Sequence, residues 1–229
     1  MTRLGFRSAR FALLTLPLLL ACRASLPDYA APKRMDVDYA DLASRDTIRY
    51  RTLTRADFLG TKPPAAFAAV ADRLGAATCG HLVLPPAKLL ITNRTDASGD
   101  SEYEVVVESL EFYAEMDRTC SWWNPNFVGM KHDYVLEHEQ IHFALFEIQA
   151  RRLRAKIPEL KAHVRSTGSS SQEVQALAQQ KLNETLEEHM AEVMDRNRAF
   201  DEDTSLGYNP KKQKEWLARV NAELAEFAP

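Results

Sequence analysis

The stretch VLEHEQIHFALF, residues Val135–Phe146, sets two histidines four positions apart among apolar side chains. On an α-helix, side chains four positions apart lie one above the other on the same face. His138 and His142 can therefore present both imidazoles to a single point, and Glu139 is turned about 100° away from that face. Apolar residues on most sides of the stretch predict a helix that is buried within a domain.

This spacing is that of the zincin motif, in which two histidines bind zinc and the glutamate acts as general base toward the attacking water. We therefore predict His138 and His142 as metal ligands, Zn²⁺ as the cofactor and Glu139 as the catalytic residue. The alternative is a buried histidine pair that makes ordinary hydrogen bonds.

A third metal ligand must come from another part of the chain, because a catalytic zinc usually takes three protein ligands. His189 and Glu192 lie near the apolar stripe of a later helix, and the acidic cluster Asp201 to Asp203 lies just past the predicted end of that helix. All of these are candidates. Glu147 points away from the histidine face, and we expect it to pair with Arg151, four residues further on.

Three long helices are predicted in the second half of the chain. The first runs from about Lys131 to Lys156 and is ended by Pro158. The second begins with a capping-box pattern, Ser170 to Glu173, and continues to about Arg198. The last covers about Pro210 to Phe227 and is amphipathic.

The first half of the domain instead contains strand-like runs, and the first of them, TIRYRTL, alternates polar and apolar residues as strands do. The predicted elements are a strand at 47–53, a turn at 60–64, a short helix at 65–74, and strands at 89–94 and 102–113 that the sequence DASGD joins in a tight reversal. The fold class is therefore α+β, with a small antiparallel sheet followed by a mainly helical part. The histidine motif lies on a central helix of that part.

The N-terminus has the pattern of a targeting segment. Three arginines precede an apolar run, Phe11–Leu20, which is too short to cross a bilayer comfortably. The run ends in Leu-Leu-Ala-Cys and resembles the lipobox of bacterial lipoproteins, whose cysteine carries the lipid. We predict a signal peptide over 1–21, lipidation at Cys22, a tether over 22–45 and one domain over 46–229. An ordinary signal peptide with an incidental Cys22 is the alternative.

Two cysteines remain after the signal peptide, Cys79 and Cys120. An even number in an exported chain predicts a disulfide, and two buried free thiols are the alternative. The net charge of -3 comes from scattered residues of both signs, and no basic stripe is present. Nucleic acid is therefore excluded as a partner.

Four short motifs occur in the order DFLG (57–60), HEQIHF (138–143), FDEDTSLG (200–207) and QKEW (213–216). In this order they resemble the bacterial "domain of unknown function 922" family of predicted secreted zinc-dependent proteases, over about residues 46–227. That family typically has Tyr-Asp, then Thr, then His-Gly in the third motif. Here Asp201 keeps the aspartate, and the resemblance favours it as third ligand, but Leu206 replaces the histidine.

The resemblance implies a zinc metallopeptidase that is held by its lipid on the periplasmic side of the bacterial cell envelope. Its partners are a peptide or protein substrate and, through the lipid, the membrane. Tyr208 is a candidate for stabilising the oxyanion, with an ordinary surface tyrosine as the alternative. Because Leu206 departs from the family pattern, a non-catalytic lipoprotein that binds a partner is the alternative function. A metallohydrolase that acts on something other than peptides uses the same residues.

Overall fold

The computed structural model describes residues 46–95 and 99–227, which form an α+β protein with strands mainly before residue 124 and helices after it. The predicted signal peptide, Cys22, the tether and part of the DASGD reversal lie outside these residues. The strands are β1 (Thr47–Arg49), β2 (Ala76–Ala77), β3 (Gly80–Val83), β4 (Lys88–Thr95), β5 (Ser101–Ser109), β6 (Tyr113–Asp117), β7 (Trp122–Trp123) and β8 (Ser166–Gly168). The helices are α1 (His132–Ala155), α2 (Ile157–Val164), α3 (Ser171–Thr204) and α4 (Pro210–Glu226), with 3₁₀ helices at Arg55–Asp57 and Ala65–Arg73.

The strands form three small antiparallel sheets, whereas the sequence predicted one. Their orders are β1-β6-β3, β2-β7 and β4-β5-β8. The predicted strand 102–113 corresponds to β5, which ends at Ser109, and its last residue, Tyr113, already begins β6, which belongs to a different sheet and continues to Asp117. The reason is packing: β5 contacts α3, whereas β6 contacts α1, so the chain must leave one sheet before it joins the other. The predicted strand 47–53 is also shorter, since β1 ends at Arg49.

Helix α1 is surrounded by the rest of the fold and matches its prediction to within one residue at each end. It packs against β3, β6, α3 and α4, and its fully buried side chains include Ile141, Leu145 and Ile148. The strand β3 approaches α1 closely at Gly80, where an added Cβ atom would lie 2.4 Å from the ring of Phe146. The histidine motif therefore lies on a rigid helix in the core.

Helix α3 is longer than predicted, and the acidic residues 201–203 therefore lie within it. It continues to Thr204, so Asp201 lies in its last two turns and not beyond its end. Phe200 and Thr204 are completely buried, and the packing of this face outweighs the weak helix propensity of aspartate. Left-handed residues then end the helix: φ is 53° at Ser205 and 59° at Leu206, and 87° at Gly207.

The predicted disulfide is present. Cys79, in the loop between β2 and β3, is bonded to Cys120, and their Cα atoms are 5.8 Å apart. The bond ties this loop to the segment that leads into β7 and then α1. Across the residues that the structure describes, no helix is both long and apolar enough to cross a membrane.

Candidate metal centre

Two histidines of α1 and one aspartate of α3 bring three ligand atoms together. His138 Nε2 lies 3.2 Å from His142 Nε2. Asp201 Oδ1 lies 3.3 Å from His138 Nε2 and 3.2 Å from His142 Nε2. The three side chains are between 9% and 21% exposed. The structure thus joins the two predicted histidine ligands with the aspartate that the sequence favoured as the third.

The other nitrogen of each histidine is occupied by a side-chain amide. His138 Nδ1 lies 3.1 Å from Gln213 Oε1, and His142 Nδ1 lies 2.7 Å from Asn197 Oδ1. An amide oxygen accepts hydrogen bonds, so each Nδ1 carries the proton that it donates. In the neutral imidazole this leaves Nε2 with its lone pair, directed at the cluster, which is the form that binds a metal ion.

The amides themselves are held in the orientation that this requires. Gln213 Nε2 donates to the backbone oxygen of Tyr134 at 3.2 Å and to Glu137 Oε1 at 3.0 Å. Asn197 Nδ2 donates to the backbone oxygen of Val193 at 2.8 Å. Because each amide nitrogen faces an acceptor, each amide oxygen must face its histidine. The tautomer of both histidines is therefore set by contacts with α1, α3 and α4.

The three ligand atoms all carry lone pairs, and atoms of this kind repel one another at 3.2 to 3.3 Å unless a cation lies among them. Without a metal ion the cation is a proton on His142. Burial lowers the pKa of His142, but the Asp201 carboxylate and smaller contributions from Glu139 and Asn197 together outweigh burial and raise this pKa to about 9. Burial raises the pKa of Asp201, but His142 and His138 outweigh it and hold that pKa below its ordinary value.

The geometry of the cluster also fits a metal ion. In a tetrahedral site with bonds of about 2.0–2.1 Å, neighbouring ligand atoms are about 3.3–3.4 Å apart. The three distances in the cluster, 3.2, 3.2 and 3.3 Å, are close to that value. Two imidazole nitrogens and one carboxylate oxygen form a donor set that divalent transition metals accept. His138, His142 and Asp201 can therefore hold a metal ion.

Glu139 lies beside the cluster and is not one of its members. Its side chain is buried, and its Oε2 accepts a hydrogen bond of 2.8 Å from the hydroxyl of Thr78, in the loop between β2 and β3. Its negative charge is near enough to His142 to contribute to the raised pKa of that histidine. Glu139 thus lies outside the cluster and is held by the loop between β2 and β3.

Phe200 forms an aromatic wall behind the two histidines. Its ring centroid lies 4.4 Å from that of His138 and 4.8 Å from that of His142, and the residue is completely buried. On its other side Phe200 contacts Trp216 of α4, with centroids 5.5 Å apart. This wall fixes the planes of both imidazoles and keeps water away from one side of the cluster.

The other candidates for third ligand have different partners. His189 Nδ1 and Glu192 Oε2 both contact Gln149, at 2.8 and 2.6 Å, and lie 3.1 Å from each other. Asp203 Oδ2 accepts a hydrogen bond of 2.9 Å from the indole of Trp216. None of these carboxylates or imidazoles belongs to the metal cluster found among the described residues.

Glu147 pairs with Arg151 as predicted, at 2.7 Å, and also with Arg154, at 2.8 Å. It too lies outside the cluster. Its place is therefore in an ion-pair network at the far end of α1, as its sequence position indicated.

The turn between α3 and α4 contains Leu206, which replaces the histidine of the family pattern, and Tyr208, the candidate for stabilising the oxyanion. Leu206 packs against a small apolar cluster that includes Leu74, Ala77 and Trp122. Tyr208 is half exposed, and its hydroxyl donates to the backbone oxygen of Arg73 at 3.1 Å. Leu206 thus fixes the turn against the first half of the chain, and the Tyr208 hydroxyl is engaged there.

Three residues that support the site were missed by the sequence reasoning: Thr78, Asn197 and Gln213. The sequence contains a signal for two of them, Asn197 and Gln213. Asn197 precedes Asp201 by four positions and therefore shares its face of α3, and Gln213 opens the QKEW motif. Thr78 left none, because nothing in the sequence brings the β2–β3 loop to α1.

A comparison with protein-family models finds no match for this chain, and comparisons with curated proteins and with solved structures find none either. The resemblance to the "domain of unknown function 922" family therefore rests on the four sequence motifs and stays a prediction.

Proposed function

We propose that this protein is a zinc-dependent metallopeptidase of zincin-like architecture. The observation that carries the proposal is the convergence of His138 Nε2, His142 Nε2 and Asp201 Oδ1 within 3.3 Å of one another, with the buried carboxylate of Glu139 beside them. A histidine pair alone is compatible with ordinary hydrogen bonding. Three lone-pair donors with both Nδ1 protons directed away from them are best explained by a bound cation.

Zinc is the ion that we assign to the cluster, because two imidazoles and a carboxylate are among the ligand sets of catalytic zinc. When bound, zinc lowers the pKa of water toward about 7 and polarises a carbonyl oxygen. The protein contributes the three ligands, the Phe200 wall on one side and the amides that orient both histidines.

Glu139 is the residue that moves protons in this proposal. Its carboxylate accepts one proton from the attacking water and delivers it to the nitrogen of the leaving amine, so that a C–O bond forms, the C–N bond breaks, and the products are an amine and a carboxylic acid that then ionises. Burial keeps this carboxylate away from bulk water. His138 and His142 have no proton to transfer at Nε2 when they serve as ligands.

The test separates metal binding from chemistry. We expect His138→Ala and His142→Ala to lose zinc and activity together, because each removes a ligand. Glu139→Gln should keep about one zinc per chain but lower the rate about 100-fold or more, because an amide cannot accept the proton. The measurements are zinc stoichiometry by atomic emission and the rate of cleavage of fluorescein-labelled casein.

His189→Ala is the matched control, since it removes a histidine of α3 that lies outside the cluster. It should keep both zinc and activity. If Glu139→Gln cleaves casein as fast as the parent, the assigned mechanism is wrong. If the parent holds no zinc, the non-catalytic partner-binding function replaces the enzymatic one.

We also propose that the protein is anchored in the bacterial envelope through a lipid on Cys22, with the domain on the periplasmic side. The sequence Leu-Leu-Ala-Cys supports this, and the disulfide between Cys79 and Cys120 suits an oxidising compartment. The substrate would then be a peptide or protein that reaches that compartment.

A further inference from the structure

We propose that Thr78 is a positioning residue that holds one oxygen of the Glu139 carboxylate and thereby directs the other toward the reacting water. The contact is visible in the structure, and its catalytic consequence rests on the proposed function. Thr78 acts through Glu139, and within the part of the chain that the structure describes no hydrogen bond joins its side chain to a metal ligand.

The first observation is the state of Glu139 itself. The residue is 3% exposed, and Oε2 accepts the Thr78 hydroxyl at 2.8 Å. Within the described residues this hydroxyl is the one hydrogen-bond donor to the Glu139 side chain, so Oε1 has no protein partner. A glutamate side chain has three rotatable bonds, and a buried carboxylate that loses its donor turns toward any other source of hydrogen bonds. The Thr78 hydroxyl therefore decides which oxygen stays free.

The second observation is that the donor comes from a fixed loop outside α1. The residue before it, Ala77, pairs with Trp122 in the β2-β7 sheet. The residue after it, Cys79, is bonded to Cys120. The Cys79 amide also donates to Ser121 Oγ at 2.9 Å, and its carbonyl accepts the Asp117 amide at 2.9 Å. Because both neighbours of Thr78 are held, its hydroxyl is a preorganised donor, and little is lost in ordering it for each turnover.

A merely structural hydroxyl would affect stability and leave the chemical step intact. A positioning hydroxyl affects kcat and leaves KM unchanged, because it touches the base and not the substrate. The two roles are therefore separable by variants of Thr78 that differ in whether they keep the hydroxyl.

The kinetic arm uses the zinc-loaded protein with fluorescein-labelled casein as the probe. Thr78→Val, which is nearly isosteric and lacks the hydroxyl, should keep one zinc and the parental KM and lower kcat about tenfold or more. Thr78→Ser should restore most of kcat. Thr185→Val is the control, since it removes a threonine hydroxyl that donates to a backbone oxygen on α3 at 2.8 Å. An unchanged kcat for Thr78→Val in an active parent overturns the proposal.

The second arm needs no activity and uses the metal-free protein in chelator. Thr78→Val should lower the folding equilibrium constant about tenfold, because the buried carboxylate loses its donor. In a Glu139→Met background, where the side chain has similar length but accepts no such bond, the same change should have little effect. Equal effects in both backgrounds overturn the proposal. If this coupling is present but the parent cleaves nothing, the proposed peptidase function fails and the positioning contact stands.

Discussion

Raising the pH of the metal-free protein should remove a stabilising charge pair from the centre of the fold. Without a metal ion, the positive charge of the cluster is a proton on His142, whose two N–H groups face Asn197 at 2.7 Å and Asp201 at 3.2 Å. Burial lowers the pKa of His142, but the Asp201 carboxylate, helped by Glu139 and Asn197, raises it to about 9. The cluster therefore loses its cation as the pH rises through that value.

The size of the effect follows from the difference between the folded and unfolded states. The pKa of a histidine in an unfolded chain is about 6.5 and that of His142 in the folded protein is about 9, which corresponds to about 3 kcal/mol of unfolding free energy. Because the folded-state pKa is the higher one, this stability is fully present below about pH 6.5 and is largely lost by about pH 9. The depressed pKa of Asp201 is the same interaction seen from the other partner, so the two are not added.

The assay is chemical denaturation in the presence of a chelator at about pH 6, 7.5 and 9. The parent should lose about 3 kcal/mol across this range, and Asp201→Asn should lose much less, because the neutral amide no longer raises the pKa of His142. His189→Gln should retain the parental loss, since His189 lies with Gln149 and Glu192. An unfolding free energy that does not change between pH 6 and 9 would refute the assignment of the proton to His142, as would an equal pH dependence in Asp201→Asn.

Three further predictions concern the surroundings of the site and the N-terminus. Gln213→Leu removes the acceptor for His138 Nδ1 and should weaken zinc binding about 10- to 100-fold in a competition titration with a chromogenic chelator; an unchanged affinity would contradict the role of the amide. Cys79→Ala with Cys120→Ala opens a loop with a sequence separation of 41 and should lower the unfolding free energy by about 2–4 kcal/mol in urea denaturation, whereas no change would mean that the bond contributes nothing to stability. Cys22→Ala should abolish acylation, and mass spectrometry of the mature parent should find a lipid on residue 22; a mature chain that begins elsewhere would disprove the lipoprotein prediction.

The long helices were predictable because their signals are local. For α1, apolar residues on most sides and Pro158 beyond its end predicted both limits to within one residue. The end of α3 was missed because Asp201 and Asp203 are poor helix formers and all three acidic residues at 201–203 are unfavourable near a helix C-terminus. The burial of Phe200 and Thr204 extends the helix past Arg198, and this burial depends on α1 and α4, which no local window contains.

The sheets were predicted less well because a pattern of period two does not identify the partner strand. The run 102–113 is strand-like, yet β5 ends at Ser109 and β6 begins at Tyr113, and the structure places β5 beside β4 and β8, and β6 between β1 and β3. The short strands β2, β7 and β8 have two or three residues each and gave no signal. The run is interrupted because β5 packs on α3 and β6 packs on α1. These tertiary contacts are absent from any local sequence pattern.

The site combines a local signal with contacts between distant segments. His138 and His142 are predictable because they lie four residues apart on one helix, and the family-like motif at 200–207 favours Asp201 as the third ligand. The amides of Asn197 and Gln213 are uncharged and have no spacing rule relative to the histidines, so no role at the site was predicted for them, although Gln213 opens the QKEW motif and Asn197 shares a helix face with Asp201. These amides nevertheless accept the Nδ1 protons of both histidines, so the Nε2 atoms of both histidines are available to the cluster.

Helix α3 explains why the third ligand and the support for a histidine come together. Asn197 and Asp201 are four residues apart, so one face of one helix supplies both the acceptor for His142 Nδ1 and the oxygen that faces His142 Nε2. Both nitrogens of the His142 imidazole therefore contact side chains of α3. Any sliding or rotation of α3 against α1 would disturb both contacts at once. The position of α3 is therefore linked to the state of the cluster, and an ion held there would join the two helices through three side chains that already meet without it.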